Sequence, residues 1–116
     1  MVEYMDEQNE EKLDQIFHAL SDSTRRGMLR LMTQGNRTVS ELAEPFDMSL
    51  AAASKHVKVL EHAGLLRRSV QGRTHYCSLE SATMAQAMKW LSFYERYWSS
   101  RFDALEKALL EGEEDS

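Results

Sequence analysis

The sequence predicts a mainly α-helical domain carrying a small β-hairpin (α+β), and three observations support that expectation. Apolar residues recur at three- and four-residue steps over most of the chain, the period of helices with one buried face. Between Leu66 and Ser78 the period drops to two across a Gln71-Gly72-Arg73 tip, the pattern of a hairpin. From about Glu80 helical spacing returns and holds for some 30 residues.

The elements follow in order. Residues 1–12 are polar and acidic and are read as an N-terminal arm or the frayed start of a helix. Leu13, Ile16, Phe17 and Leu20 then space out a short amphipathic helix. Ser21 or Asp22 caps a second helix through TRRGMLRLMTQ, with Met28, Leu29 and Met32 as its stripe and Gly35 as its stop. Gly27 inside it costs roughly 1 kcal/mol against alanine, which points to close contact with a neighbouring element. Thr38-Val39-Ser40-Glu41 has capping-box spacing and opens a brief helix that Pro45 ends. Ser49 offers the next cap, for a helix from about Leu50 to Ala63 with Gly64 as its stop. Two helices on a tight connection, then a hairpin, then a long helix make a winged helix-turn-helix with a long C-terminal dimerisation helix. The expected division is the arm 1–12, a winged domain 13–79, a dimerisation helix 80–110 and an acidic tail 111–116.

Composition excludes several classes. The chain has 116 residues, 42% of them hydrophobic and 28% charged, which suits one globular domain with a single core. No run reaches the ~18 apolar residues of a membrane span, and the acidic start is no signal peptide. One cysteine, Cys77, forms no internal disulfide, and a cytoplasmic location is expected. Gly-rich phosphate loops, paired-carboxylate motifs and nucleophile–base spacings are absent, so no enzyme is expected. The formal net charge of −5 hides a partition. Residues 1–21 carry six acids against one base, residues 22–76 nine bases against five acids, and residues 77–116 eight acids against four bases. A basic middle lies between acidic ends.

The helix SLAAASKHVKVLEHAGLL lies in that middle. Ala53, Val57 and Leu60 fall at i, i+4, i+7 and face the core, with Met48 just before the cap. Leu50, Ala51, Ser54, Lys55 and Lys58 face outward, with Ser49 and His56 at the edges. Small residues at its front let the backbone sit deep in a major groove about 12 Å wide. Ser, Lys and His donate to phosphates and base edges, and Leu or Ala methyls meet thymine methyls. Arg67, Arg68 and Arg73 on the hairpin are placed to grip the DNA backbone or enter a minor groove, while Arg25, Arg26 and Arg37 are expected to widen the basic surface.

The runs LDQIFHALSDSTRRGMLRLM and TVSELAEPFDMSLAAASKHVKVLEHAGLLRRSVQGRTHYCSL resemble the ArsR-type winged-helix repressor family over about residues 13–79. That resemblance implies a homodimeric repressor on a double-stranded DNA operator. It places DNA contacts at Ser49, Leu50, Ala51, Ser54, Lys55, His56 and Lys58, with Arg73 at the wing tip. Its first and last helices form the dimer interface, here Leu13, Ile16 and Phe17 with Leu91, Tyr94, Trp98, Phe102 and Leu105. Relatives often carry glutamine and proline where this chain has Leu50 and Ala51, so its base preference leans on methyl contacts or DNA shape. Metal-responsive members place cysteines in the helix before recognition, or His and Asp ligands on the last helix. Here the first segment reads Val39-Ser40-Glu41-Leu42-Ala43, and residues 80–116 hold neither His nor Cys. No metal site and no cofactor are therefore expected.

The last helix carries more apolar surface than one small domain covers, with Trp90, Tyr94, Tyr97, Trp98 and Phe102 close together. That surplus suggests dimerisation, matching a palindromic operator, and an aromatic cavity between subunits for a small-molecule inducer. Two other readings stand beside this one. A winged fold without DNA binding would use the apolar Leu50-Ala51-Ala52 front as a protein-interaction module, and a redox-responsive repressor would use Cys77, with His75 on the same strand face.

Overall fold

The computed structural model describes residues 7–115. Helix α1 (Glu7–Leu20) buries Ile16 and Ala19, with Phe17 and Leu20 packed at the margin of the core. It starts before the expected boundary at residue 12, because acidic side chains are favoured in a first helical turn. Residues 1–6 lie outside the described residues. Ile16, expected at a dimer interface, is 1% exposed within the single chain and belongs to its core. This corrects that expectation, since Ile16 has no surface left for a partner.

Asp22, rather than Ser21, caps helix α2 (Ser23–Met32): its carboxylate accepts the Arg25 backbone N–H at 3.1 Å. Strand β1 (Arg37–Thr38) is too short for the sequence to show a period. Helix α3 (Val39–Ala43) opens with the expected capping box. Thr38 Oγ1 accepts from Glu41 N at 3.1 Å, and Thr38 N donates to Glu41 Oε1 at 2.8 Å. A 3₁₀ turn over Glu44–Phe46 and Asp47 in the left-handed region (φ 50°) complete the connection. Helix α4 (Leu50–His62) follows, with the Ser49 hydroxyl accepting Ala52 N–H at 3.1 Å.

Strands β2 (Leu66–Gln71) and β3 (Thr74–Leu79) pair antiparallel from Leu66↔Leu79 to Gln71↔Thr74. Gly72 (φ 66°) takes the first central position of the two-residue tip, where a II′ turn needs a positive φ. Strand β1 adds to the other edge of β3, so the sheet order is β1-β3-β2. Helix α5 (Ser81–Asp115) is unbroken, about 50 Å long at the usual rise. Residues 111–115, expected as an acidic tail, are helical.

One core joins these elements: Ile16, Met28, Leu42, Val57, Leu60 and Leu65 are at most 1% exposed. Ala87 continues it onto α5, and Phe17 meets Trp90 edge to face at 5.4 Å. Beyond that pair of rings the aromatic side of α5 is open. Trp98 is 50% exposed and Phe102 62%. The molecule is 69 Å in its longest direction as a result.

Candidate nucleic-acid interface

Helix α4 divides its faces as its spacing predicts. Ala53, Val57 and Leu60 are fully buried, which turns Leu50, Ala51, Lys55 and Lys58 outward and leaves Ser54 and His56 half-buried. Leu50 is 56% exposed, an apolar side chain held at the front of a polar surface. Lys55 and Lys58 pair with no carboxylate among the described residues, so their charge is available to a partner.

The wing completes one side of this surface. A groove of about 440 Å³ runs between the start of α3, the front of α4 and the hairpin. Leu50, Ser54, Arg68 and Arg73 border it, together with Ser40, Thr74 and His75. Ser40, Thr74 and His75 were not among the residues expected at the interface. Their signal in the sequence is present but weak, as hydroxyl and imidazole side chains beside the capping box and the hairpin tip.

The expected arginines divide by role. Arg73 is exposed at the wing tip and makes no ion pair among the described residues. Arg67 lies on the opposite face of β2 from Arg68 and stands 3.8 Å from Glu80. Arg68 reaches back to Glu61 of α4 at 3.2 Å, while its buried Nε has no partner. Lys58 lies further along α4, beside a second groove with Asp14, His18 and His62.

Of the arginines expected to widen the basic surface, Arg25 is buried, Arg37 half-buried and Arg26 exposed, and each donates to a backbone carbonyl. Arg25 Nε donates to Ala19 O at 2.8 Å, Arg26 Nη1 to Leu20 O at 2.7 Å and Arg37 Nε to Leu31 O at 3.4 Å. The cause is the end of a helix, whose last carbonyls have no partner within the helix.

Cys77 is fully buried on the inner face of β3, opposite Arg68 and Arg37 in the two ladders. Burial pushes its thiol pKa up, against the reactive thiolate form. His75 is exposed further along the strand, and no three His, Cys, Asp or Glu side chains among the described residues could together hold a metal ion.

Residues 20–69 match the model of a helix-turn-helix domain family. The transcriptional repressor SdpR of Bacillus subtilis (strain 168) is 30% identical over 79 residues, 68% of this chain and 88% of that protein. The crystal structure of an ArsR family transcriptional regulator is 40% identical with a TM-score of 0.72, covering 86% of this chain and 98% of that one. The chain belongs to the ArsR family. It is a winged helix-turn-helix, DNA-binding transcriptional regulator. A more distant likeness shares the fold of this ArsR-family chain: the solution structure of a homodimeric winged helix-turn-helix domain from Mycobacterium bovis, 24% identical with a TM-score of 0.63, covering 84% of this chain and 94% of that one. Within the ArsR frame, α3 and α4 are the two helices of the helix-turn-helix and the β2–β3 hairpin is the wing.

Proposed function

We propose that this ArsR-family chain is a repressor that occupies a palindromic operator as a homodimer, in the cytoplasm and without a catalytic role. The observation that carries the reading is the exposed front of α4, with Lys55 and Lys58 on the helix and Arg73 at the wing tip making no ion pair among the described residues. Leu50, Ala51 and Ser54 face base edges, Ser49 and His56 flank them, and Lys55, Lys58 and Arg73 meet phosphates. Arg67 and Arg68 support the wing through Glu80 and Glu61 and add positive potential near the backbone. Thr74 and His75 extend the phosphate-facing edge.

The exposed stripe of Leu91, Tyr94, Trp98, Phe102 and Leu105 on α5, flanked by the half-buried Phe17 of α1, supports the second copy, whereas Leu13, like Ile16, is buried within the single chain. Pairing there sets two recognition helices about one DNA turn, or ~34 Å, apart. Repression then follows from occupancy of DNA that polymerase must use.

The test selects duplex fragments from the host's genomic DNA on the purified protein, then measures their binding against salt. The reading expects inverted half-sites in the selected fragments and affinity that falls steeply with salt. Protein that retains no duplex at low salt, or that binds as a single copy to one half-site, would overturn it.

A further inference from the structure

Arg25 is the one charged residue buried among the described residues, at 9% exposure. Its backbone N–H is held by the Asp22 carboxylate at 3.1 Å. Its guanidinium is shared among three acceptors. Nε donates to Ala19 O at 2.8 Å and Nη2 to His18 O at 3.1 Å, both carbonyls of the last turn of α1. The third is not on α1: Nη1 lies 3.2 Å from Nδ1 of His56, on the recognition helix.

The chemistry of that last pairing fixes a proton. A guanidinium carries N–H donors only and keeps its charge in proteins, so His56 Nδ1 must present its lone pair. A ring with a free Nδ1 pair is neutral and carries its proton on Nε2. The other tautomer would set N–H against N–H, and a doubly protonated ring would add cation against cation. Closing the end of α1 does not require His56, because two carbonyls already occupy Nε and Nη2.

We infer that Arg25 is a positioning residue for DNA recognition: it locks His56 as the neutral Nε2–H tautomer and leaves that N–H as the ring's single donor at the edge of the recognition face. His56 then meets DNA with a donor of fixed orientation rather than a ring that chooses its tautomer on contact. The recognition role rests on the proposed DNA-binding reading; the tautomer does not.

The test begins with the free protein at neutral pH, labelled with ¹⁵N-histidine, where long-range ¹H–¹⁵N spectra separate the two ring nitrogens. Expected are a bare Nδ1 and a protonated Nε2 for His56. A ring protonated on Nδ1, or on both nitrogens, would overturn the inference. Binding to the selected genomic duplex is then compared for His56→Gln, whose amide reaches toward the Nε2 position, and His56→Asn, whose amide stays near Nδ1. The glutamine variant keeps most of the affinity and the asparagine variant binds about tenfold more weakly, the size of one missing hydrogen bond. Equal affinities for wild type and His56→Asn would overturn the recognition role. Arg25→Met is expected to give mixed His56 tautomers and a similar drop in binding, and an unchanged ring spectrum in that variant would refute the lock. Wild-type protein that bound no duplex would overturn the recognition role together with the DNA-binding reading. Wild-type binding with an Nδ1–H ring would overturn this inference alone.

Discussion

The ring of Phe46 occupies the space that a side chain at Gly27 would need: a β-carbon built there would stand 2.6 Å from Phe46 Cζ and 2.8 Å from Cε1. The glycine in α2 thus accommodates the 3₁₀ turn that joins α3 to the recognition helix. Gly27→Ala gains about 1 kcal/mol of helix propensity and loses about 1–3 kcal/mol to overpacking, for a net destabilisation near 1 kcal/mol. Urea unfolding checks the sign, and Phe46→Leu in the alanine background should recover the difference. An alanine variant more stable than wild type would remove the packing argument.

Asp22 caps α2 as a charged acceptor. The Arg25 N–H bonded to its carboxylate holds its pKa below the ordinary 3.8. A depressed folded-state value means that stability is present above 3.8 and lost as pH falls through the folded value. Asp22→Ala should cost about 1 kcal/mol near neutral pH. That difference should shrink in acid, as thermal melts of the two proteins over an acid series would show. A gap that stays constant into strong acid would count against the charged cap.

Lys55→Ala with Lys58→Ala should weaken binding to every duplex and lower the salt slope by about 0.9 for each phosphate left without its cation. Arg73→Ala should act in the same direction without changing the melting temperature, because its exposed side chain makes no ion pair among the described residues. Arg68→Ala should also cost about 0.2–1 kcal/mol of stability through Glu61. Anisotropy titrations at several salt concentrations separate these outcomes, and an unchanged slope in the double variant would place the DNA elsewhere.

The fold is legible in the sequence where side-chain chemistry is local. Thr38, Glu41 and Ser49 cap the helices that their spacing announces, and Ala53, Val57 and Leu60 are the buried face that periodicity selects. Strand β1 is not legible, since two residues carry no period. Arg25 misleads because sequence shows a charge but not the carbonyls of Ala19 and His18, at the end of α1, that receive it. Ile16 misleads for a related reason: helical spacing marks an apolar face without saying whether the same chain or a second one covers it. The outward face of α4 follows from its spacing alone, whereas the contributions of Thr74 and His75 to the groove depend on how the hairpin folds over α4.

Cys77 should behave as a small apolar core residue. Cys77→Ser buries a hydroxyl and should cost about 1–3 kcal/mol, whereas Cys77→Ala should cost less than the serine change if the site prefers an apolar group. In the native protein, thiol reagents should label it slowly, at a rate that rises with denaturant. Fast labelling in buffer, with loss of DNA binding on peroxide treatment, would instead favour a redox switch.

Trp98→Glu on the open side of α5 should raise the dimer dissociation constant about 30-fold, as expected for removal of a buried aromatic anchor. Sedimentation over a dilution series measures it directly. An unchanged constant would move the seam off this stripe.

The proposed pairing through the open stripe on α5 would also shape the response of a controlled gene. With Trp98 and Phe102 as the seam, stability and occupancy both come under mass action. Below the dimer dissociation constant, operator filling grows with the square of the number of chains. A small change in synthesis or turnover is then amplified at the promoter, so the abundance of the protein becomes an input in its own right.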